Sequence, residues 1–234
     1  MSVPNTSHGT VARPNVLIVD DHDLVAMSLV LALRAQGMTA QRHAARTRDG
    51  IVIAAATLTP GVVLLDLDLG REPGGAPIDG ASLVDRFRHY GWQVVVLTAT
   101  ADEIRIGRAL DAGALAYVSK TAQLPVLVTT VRRAARGVPA MHPDLRHRLI
   151  EQYHRRREQA RAVESRLDRL SERERAVLEH LAAGRRAQAI AEEFGVTLAT
   201  TRTQIRAVLQ KLNVSGQLEA VALLHDYRRT VDEG

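Results

Sequence analysis

Cysteine is absent from the 234-residue chain. That excludes a disulfide framework and any thiolate metal site, and it suits a reducing compartment. Aromatic residues make up only 3% of a chain that is 46% hydrophobic, so its cores have to be aliphatic. No stretch approaches the roughly 20 consecutive apolar residues of a membrane-spanning helix. Met1 to Pro14 are small and polar and lack the apolar centre of a signal peptide. A cytoplasmic protein with no membrane role and a disordered tail over 1–14 is therefore expected. Lysine is nearly missing too: of 31 basic side chains only two are lysines, Lys120 and Lys211. A chain that otherwise uses arginine but keeps Lys120 suggests a need for a compact ammonium there instead of a planar fork. The formal net charge of +5 is spread over both halves. A nucleic-acid surface would have to be a local patch, not a bulk property.

What is present is a strand–helix alternation. Val16 to Val19 is a short apolar run ending in Asp20 and Asp21. A helix pattern over 24–36 stops at Gly37, a weak strand covers 38–43, and a helix covers 47–58. Gly61 to Leu69 is apolar and ends its buried run at Asp66, as a strand covered on both faces does. The glycines and prolines of 69–79 predict a loop without regular structure. Helices over 80–90, 102–112 and 123–136 then enclose strands ending at Thr98 and next to Lys120. Five strands alternating with five helices predict an α/β doubly wound parallel sheet over 15–137.

In such a sheet the carboxyl ends of the strands share one edge. Asp20, Asp21, Asp66, Thr98 and Lys120 would converge there. Crowded carboxylates suit Mg²⁺, a hard cation that takes oxygen ligands and keeps waters for phosphate. A carboxylate is itself a phosphoryl acceptor, and an ammonium and a hydroxyl stabilise charge on the transferred group. The predicted pocket is an aspartyl-phosphate site with Asp66 as nucleophile.

These residues resemble the receiver domain of two-component response regulators. Asp20 and Asp21 match its acidic pair, Asp66 its phosphoacceptor, Thr98 its switch hydroxyl, Tyr117 its switch aromatic and Lys120 its lysine. The resemblance implies a metal set of Asp20, Asp21, Asp66 and the backbone carbonyl of Asp68, with phosphotransfer from a sensor histidine kinase. One departure is the loop at 69–79, longer than the short turn usual after the phosphoacceptor. It is expected to act on the pocket as a lid or to be a harmless insertion. Two alternatives accompany it. One is a phosphorylation-independent regulator whose long loop closes the pocket. The other, more remote, follows from Asp66-Leu67-Asp68, which also resembles the nucleophile motif of haloacid-dehalogenase-type phosphatases. Those enzymes need an acidic pair after the lysine, and no Asp or Glu lies between Lys120 and Pro143.

Val138 to Pro143 holds two prolines and marks a boundary. Asp144 is expected to cap a following helix. A largely helical linker over 138–168 opens a loose stripe of Leu149, Tyr153, Ala160, Val163, Leu167 and Leu170, interrupted by Arg156. That stripe favours packing against the chain's own domains over a dimer coil.

From Ser171, Ser-Glu-Arg-Glu is a capping-box pattern. The sequence helix, short helix, glycine turn, helix predicts a small all-α helix-turn-helix domain over 169–226, with a tail at 227–234. In its third helix Thr200, Arg202, Thr203, Gln204 and Arg206 lie mostly off the apolar face. No Asp or Glu occurs from Leu198 to Gln217. Arginine and glutamine in the early turns of such a helix read base edges or phosphates of double-stranded DNA. The stretch Leu170 to Leu224 resembles the LuxR-type helix-turn-helix of NarL/FixJ response regulators. By that resemblance Arg185, Arg186, Gln188 and Lys211 join the candidate DNA contacts. Gln188 stands where the family usually has a lysine, a place that Arg185 or Arg186 would fill. The last helix, 216–225, resembles the segment that pairs two such modules into a homodimer, with Leu218 and Val221 exposed for that purpose. The function expected from both resemblances is a DNA-binding response regulator, not a metabolic enzyme.

Overall fold

The computed structural model describes residues 14–43, 47–99 and 102–232. Apart from Pro14, the tail expected over 1–14 lies outside them. The chain divides into two compact units, and the dividing point falls between Tyr153 and His154.

The first unit is a five-stranded parallel sheet flanked by helices. Its strands are β1 (Asn15–Val19), β2 (Thr39–His43), β3 (Val62–Asp66), β6 (Gln93–Thr98) and β7 (Ala116–Ser119), in the order β2-β1-β3-β6-β7. β3 is central and every one of its residues is buried. That is why its sequence is continuously apolar instead of alternating. The helices are α1 (Asp23–Ala35), α2 (Arg48–Thr57), α3 (Val84–His89), α4 (Glu103–Asp111) and α5 (Leu124–Ala134). Alternate residues of β3 feed two cores. Val62 and Leu64 pack with α1 and α5, and Val63 and Leu65 with the helices of the opposite face. The aromatic content is concentrated in the second core. There Trp92 packs edge-on to Phe87 with ring centres 6.2 Å apart, and its indole N–H donates to the carbonyl of Ala55 at 2.9 Å. Helix α1 closes as its sequence requires: Gly37 takes φ 79°, and the Gly37 and Met38 amides donate to the carbonyls of Arg34 and Leu33.

The loop expected at 69–79 is instead an antiparallel hairpin, β4 (Asp68–Arg71) and β5 (Pro77–Asp79), which leads into a 3-10 turn over Gly80–Leu83. Its glycines serve the turn and the approach to it, Gly70 at φ 74° and Gly75 at φ 86°. Pro77 opens an edge strand, where a missing N–H is tolerated. Leu69 and Ile78 are both buried in the core beside β3 and anchor the hairpin. Two large apolar residues among eleven are too few to show a period.

The linker is one long helix, α6 (Pro143–Leu167). Asp144 does not cap it. Pro143, whose fixed φ suits the first turn, is its first residue, and Asp144 lies within that turn. Within the first unit α6 lies on α4: Leu149 is fully buried, and the Arg146 guanidinium donates to the carbonyls of Ala114 (2.6 Å) and Leu110 (2.7 Å) at the end of α4. Gly107 permits the approach, since a β-carbon there would overlap the carbonyl of Leu149.

The second unit holds the remainder of α6 with α7 (Glu172–Ala182), α8 (Ala187–Phe194), α9 (Leu198–Leu212) and α10 (Gln217–Asp232). Its core joins Leu167, Val177, Leu178, Ile190, Ile205, Val208, Leu212, Ala220 and Leu224, with Val163 against it. The α6 stripe is thus used within the chain at both ends. Helix α10 continues well past His225 to Asp232, so the tail expected over 227–234 is largely helical. Tyr227 provides the reason: it packs on the core and extends the buried face of α10 by a turn.

At Gly80 a β-carbon would overlap the carbonyl oxygen of Asp66, at the end of the central strand. Gly80→Ala is expected to lower the urea midpoint of the first unit by the equivalent of about 3 kcal/mol. Gly74→Ala, into open space, is expected to change it by less than about 0.5 kcal/mol.

Candidate functional site

The carboxyl ends of β1, β3, β6 and the residue after β7 meet at one edge of the sheet. Lys120 is the centre. Its ammonium lies 2.6 Å from Asp66 Oδ2 and 2.8 Å from Asp20 Oδ2. Both carboxylates and Thr98 are buried, whereas Asp21 lies at the rim. Backbone amides complete the cradle: His22 N–H donates to Asp20 Oδ1 at 2.8 Å, and Asp68 N–H to Asp66 Oδ1 at 3.2 Å. Thr98 stands opposite Ser119 across the β6–β7 ladder, and its carbonyl accepts from the Lys120 amide at 2.8 Å. Tyr117 is half-buried against the core on the α4 side.

Burial pushes the Asp66 carboxyl above the usual carboxylate range, and the Lys120 hydrogen bond and charge only partly offset it. For Lys120 burial acts downward, but its contacts with Asp20 and Asp66 outweigh it, and the ammonium is held above its ordinary value. The pair is a charged lock around a carboxylate that stays comparatively basic.

Asp20, Asp21, His22 and Asp66 each present one ligand atom within 4.8 Å of the others. The donor set fits a hard divalent cation. It is dominated by carboxylate oxygens, and the buried Asp20 Oδ2 touches the ammonium without forming a hydrogen bond. Asp68 differs: its side chain is taken up by Arg105, whose Nη1 donates to Asp68 Oδ1 at 2.7 Å. Its side chain is largely exposed and stands outside the acidic cluster.

In the second unit α8 and α9 form the helix-turn-helix, with Gly195 in the left-handed region (φ 64°) between them. The capping box is complete: Glu174 N–H donates to Ser171 Oγ, and Ser171 N–H to Glu174 Oε2. Thr197 caps α9 by accepting from the Thr200 amide at 3.1 Å. Ile205, Val208 and Leu212 are buried, and Arg202, Thr203 and Arg206 occupy the exposed face.

Several of the expected DNA-contact residues have partners inside the domain. Arg185 pairs with Glu193, and the Gln188 amide donates to Glu192 at 2.9 Å. The Thr200 and Thr203 hydroxyls bond to Thr197 and to the Ala199 carbonyl. Lys211 is 2.5 Å from Glu174. Gln204 is half-buried, with Oε1 enclosed and without a hydrogen-bond partner. Arg186, Arg202 and Arg206 are exposed and form no ion pair among the described residues. On α10 Leu218 is 84% exposed as expected, but Val221 is half-buried against the domain's own core, so the expectation of an exposed Val221 is corrected.

Residues 16–132 match the family model of the response regulator receiver domain, and residues 168–224 that of the luxR family of bacterial regulatory proteins. The chain is a response regulator of the NarL/FixJ class. Transcriptional regulatory protein LiaR of Bacillus subtilis (strain 168) is 29% identical over 211 residues, covering 90% of this chain and 96% of its own length. Response regulator protein VraR of Staphylococcus aureus (strain COL) is 28% identical over 208 residues, covering 88% and 93%. Full-length FixJ from B. japonicum aligns with TM-score 0.45 at 23% identity, covering 92% of this chain and 98% of that one. This response regulator is a DNA-binding transcription factor and not an enzyme of metabolism.

Sequence inspection overlooked Arg105 and Arg108 on α4, which hold the β4–β5 hairpin, and Glu174 as the partner of Lys211. A hint existed: Arg105 and Arg108 are three apart on one helix face. Only the fold pairs them with Asp68 and Asp79.

The Lys211 ammonium holds the Glu174 carboxyl below its ordinary range. Such a carboxylate contributes stability above its unfolded pKa and loses it as pH falls through the depressed folded value. Lys211→Met is therefore expected to destabilise the second unit at neutral pH by about 1 kcal/mol, a figure discounted for the exposure of Lys211. The difference from wild type should vanish in strong acid. Urea unfolding at several pH values checks this.

Proposed function

We propose that this response regulator is switched by phosphorylation of Asp66. The observation that carries this is the Lys120 ammonium held between the buried carboxylates of Asp66 and Asp20. In the transfer, an Asp66 oxygen bonds to phosphorus as the donor's P–O or P–N bond breaks. The bond electrons leave with the donor group, which is a histidine ring on a sensor kinase or the carboxylate of a small acyl phosphate. Lys120 pairs with the charge of the new phosphoryl oxygens, and Thr98 is the hydroxyl at the edge for another of them. Asp20, Asp21, Asp66 and the Asp68 carbonyl would hold Mg²⁺, which supplies further neutralisation of phosphoryl charge.

The phosphate adds charge and acceptor oxygens to a buried edge. Tyr117, half-buried beside α4, is the side chain positioned to repack with it. The output is binding to double-stranded DNA through α9, with Arg202 and Arg206 as the principal cations and Arg186 at the start of α8. The Arg185, Gln188, Thr200, Thr203, Gln204 and Lys211 side chains act at most after exchanging an internal partner or turning outward. Pairing of two modules through the exposed Leu218 face of α10 makes the active form a homodimer. A protein that acts on chromosomal promoters works in the cytoplasm of a bacterial cell. The domains run as receiver over 15–137, a largely helical linker over 138–168 and a helix-turn-helix domain from 169 that takes in α10 to Asp232.

Two measurements test this. Incubation with Mg²⁺ and acetyl phosphate should label wild type and not Asp66→Asn. Equal labelling of both would remove Asp66 from the role. For DNA, Arg202→Ala and Arg206→Ala should each weaken binding. Replacement of a phosphate-contacting arginine lowers the slope of log affinity against log salt by about 1, and replacement of a base-reading one relaxes specificity at one position. Unchanged affinity and slope in both variants would move the interface off this face.

A further inference from the structure

The β4–β5 hairpin departs from the expected receiver outline, and the fold ties it down at three points. At its base, Asp68 and Asp79 stand opposite each other across the ladder. One guanidinium spans both: Arg105 Nη1 donates to Asp68 Oδ1 (2.7 Å), and Nη2 to Asp79 Oδ1 (3.0 Å) and to the Leu67 carbonyl (2.5 Å). Arg108, one turn on, donates to Asp79 Oδ2 at 2.7 Å. Farther along, Glu72 Oε1 accepts from the Arg48 amide, a free donor in the first turn of α2, at 3.2 Å. Between these ties the hairpin backbone stands against the acidic rim, where a β-carbon on Gly70 would come within 3.2 Å of Asp21 Oδ2. The hairpin thus crosses from α4 to α2 past the edge that holds Asp66.

We propose that Arg105 is a positioning residue for phosphoryl transfer at Asp66: from α4 it clamps the hairpin across the acidic pocket and thereby limits access of water and small phosphodonors to that carboxylate. This rests on Asp66 being the phosphoacceptor. Three acceptors around one guanidinium suit the arginine fork; a lysine ammonium reaches only part of the set. Arg105 and Arg108 are mostly sheltered from solvent, with 18% and 23% of their side chains exposed, so screening weakens the clamp less than it would a surface pair.

The clamp also joins the hairpin to the switch. β6 ends at Thr98 and α4 begins at Glu103. Arg105 thus belongs to the helix that follows the Thr98 strand in the chain. The step the clamp governs is hydrolysis of the acyl phosphate. A water oxygen bonds to phosphorus, and the P–O bond to Asp66 breaks with its electron pair returning to the carboxylate. The proton of the water leaves as inorganic phosphate is released. An open hairpin admits that water, and the dry pocket excludes it.

The test uses the full chain as wild type, Arg105→Met, Arg105→Lys and Asp79→Asn. The asparagine keeps an oxygen for the Ala81 amide that Asp79 now accepts. After labelling with acetyl phosphate and removal of donor, the half-life of the phosphoprotein is followed, together with deuterium exchange of the amides of 67–79. Arg105→Met should raise the amide exchange and shorten the half-life about tenfold, the effect of about 1.4 kcal/mol in the opening equilibrium. Arg105→Lys should fall between, and Asp79→Asn, which keeps Oδ1 for Arg105 but removes the Oδ2 acceptor of Arg108, should loosen the hairpin less than Arg105→Met. Destabilisation alone would lower labelling and thermal midpoint without accelerating loss from the labelled fraction. Raised exchange with an unchanged or longer half-life overturns the shielding role, and unchanged exchange in all three variants overturns the clamp. Equal labelling of wild type and Asp66→Asn would instead fell the phosphoacceptor assignment and the shielding role with it. The exchange data would still decide separately whether Arg105 holds the hairpin.

Discussion

A partly buried ammonium between two buried carboxylates is the constraint on which the first unit turns. Lys120 pairs with Asp66 and Asp20 at once, and without it two like charges would share a poorly solvated edge with no compensation. Removing one partner from such a group leaves an uncompensated buried charge, and that is costlier than never having buried it. The sheet supplies the geometry. β1, β3 and β7 end at a common level because they run parallel and in register, and their polar residues follow the last apolar residue of each strand. Chemistry and fold meet where the apolar runs stop.

The same edge explains why the hairpin is possible. An insertion of this length in a surface loop adds little entropy cost to folding, but one beside a charged pocket has to avoid exposing its own backbone to the acids. Leu69 and Ile78 sink one face into the core, and Arg105 and Arg108 discharge Asp68 and Asp79. The result is a regular hairpin where a loop without regular structure was expected. Its two clamping arginines belong to the helix that follows the Thr98 strand.

The second unit shows a different economy. Its single lysine and its capping glutamate hold each other, so the start of α7 and the end of α9 are one electrostatic unit. This leaves Arg186, Arg202 and Arg206 as exposed cations of the helix-turn-helix face. A basic patch of this size on a chain of modest net charge is local, as the charge distribution requires. α6 serves both units. Leu149 and Arg146 belong to the first, and Val163 and Leu167 to the second.

The linear chain was enough to establish the doubly wound sheet, the converging residues Asp20, Asp66, Thr98 and Lys120, and the helix-turn-helix with its capping box. These follow from short-range rules: apolar runs that end in polar residues, glycines after helices, and a Ser-x-x-Glu start. What only the tertiary structure decided were pairings between distant segments. The strand character of 68–79, the Arg105 clamp, the Lys211–Glu174 pair and the partial burial of Val221 and Gln204 all depend on which surface another element happens to cover. A side chain's chemistry is written locally, whereas its partner is set by packing, and no period or spacing in the chain encodes that.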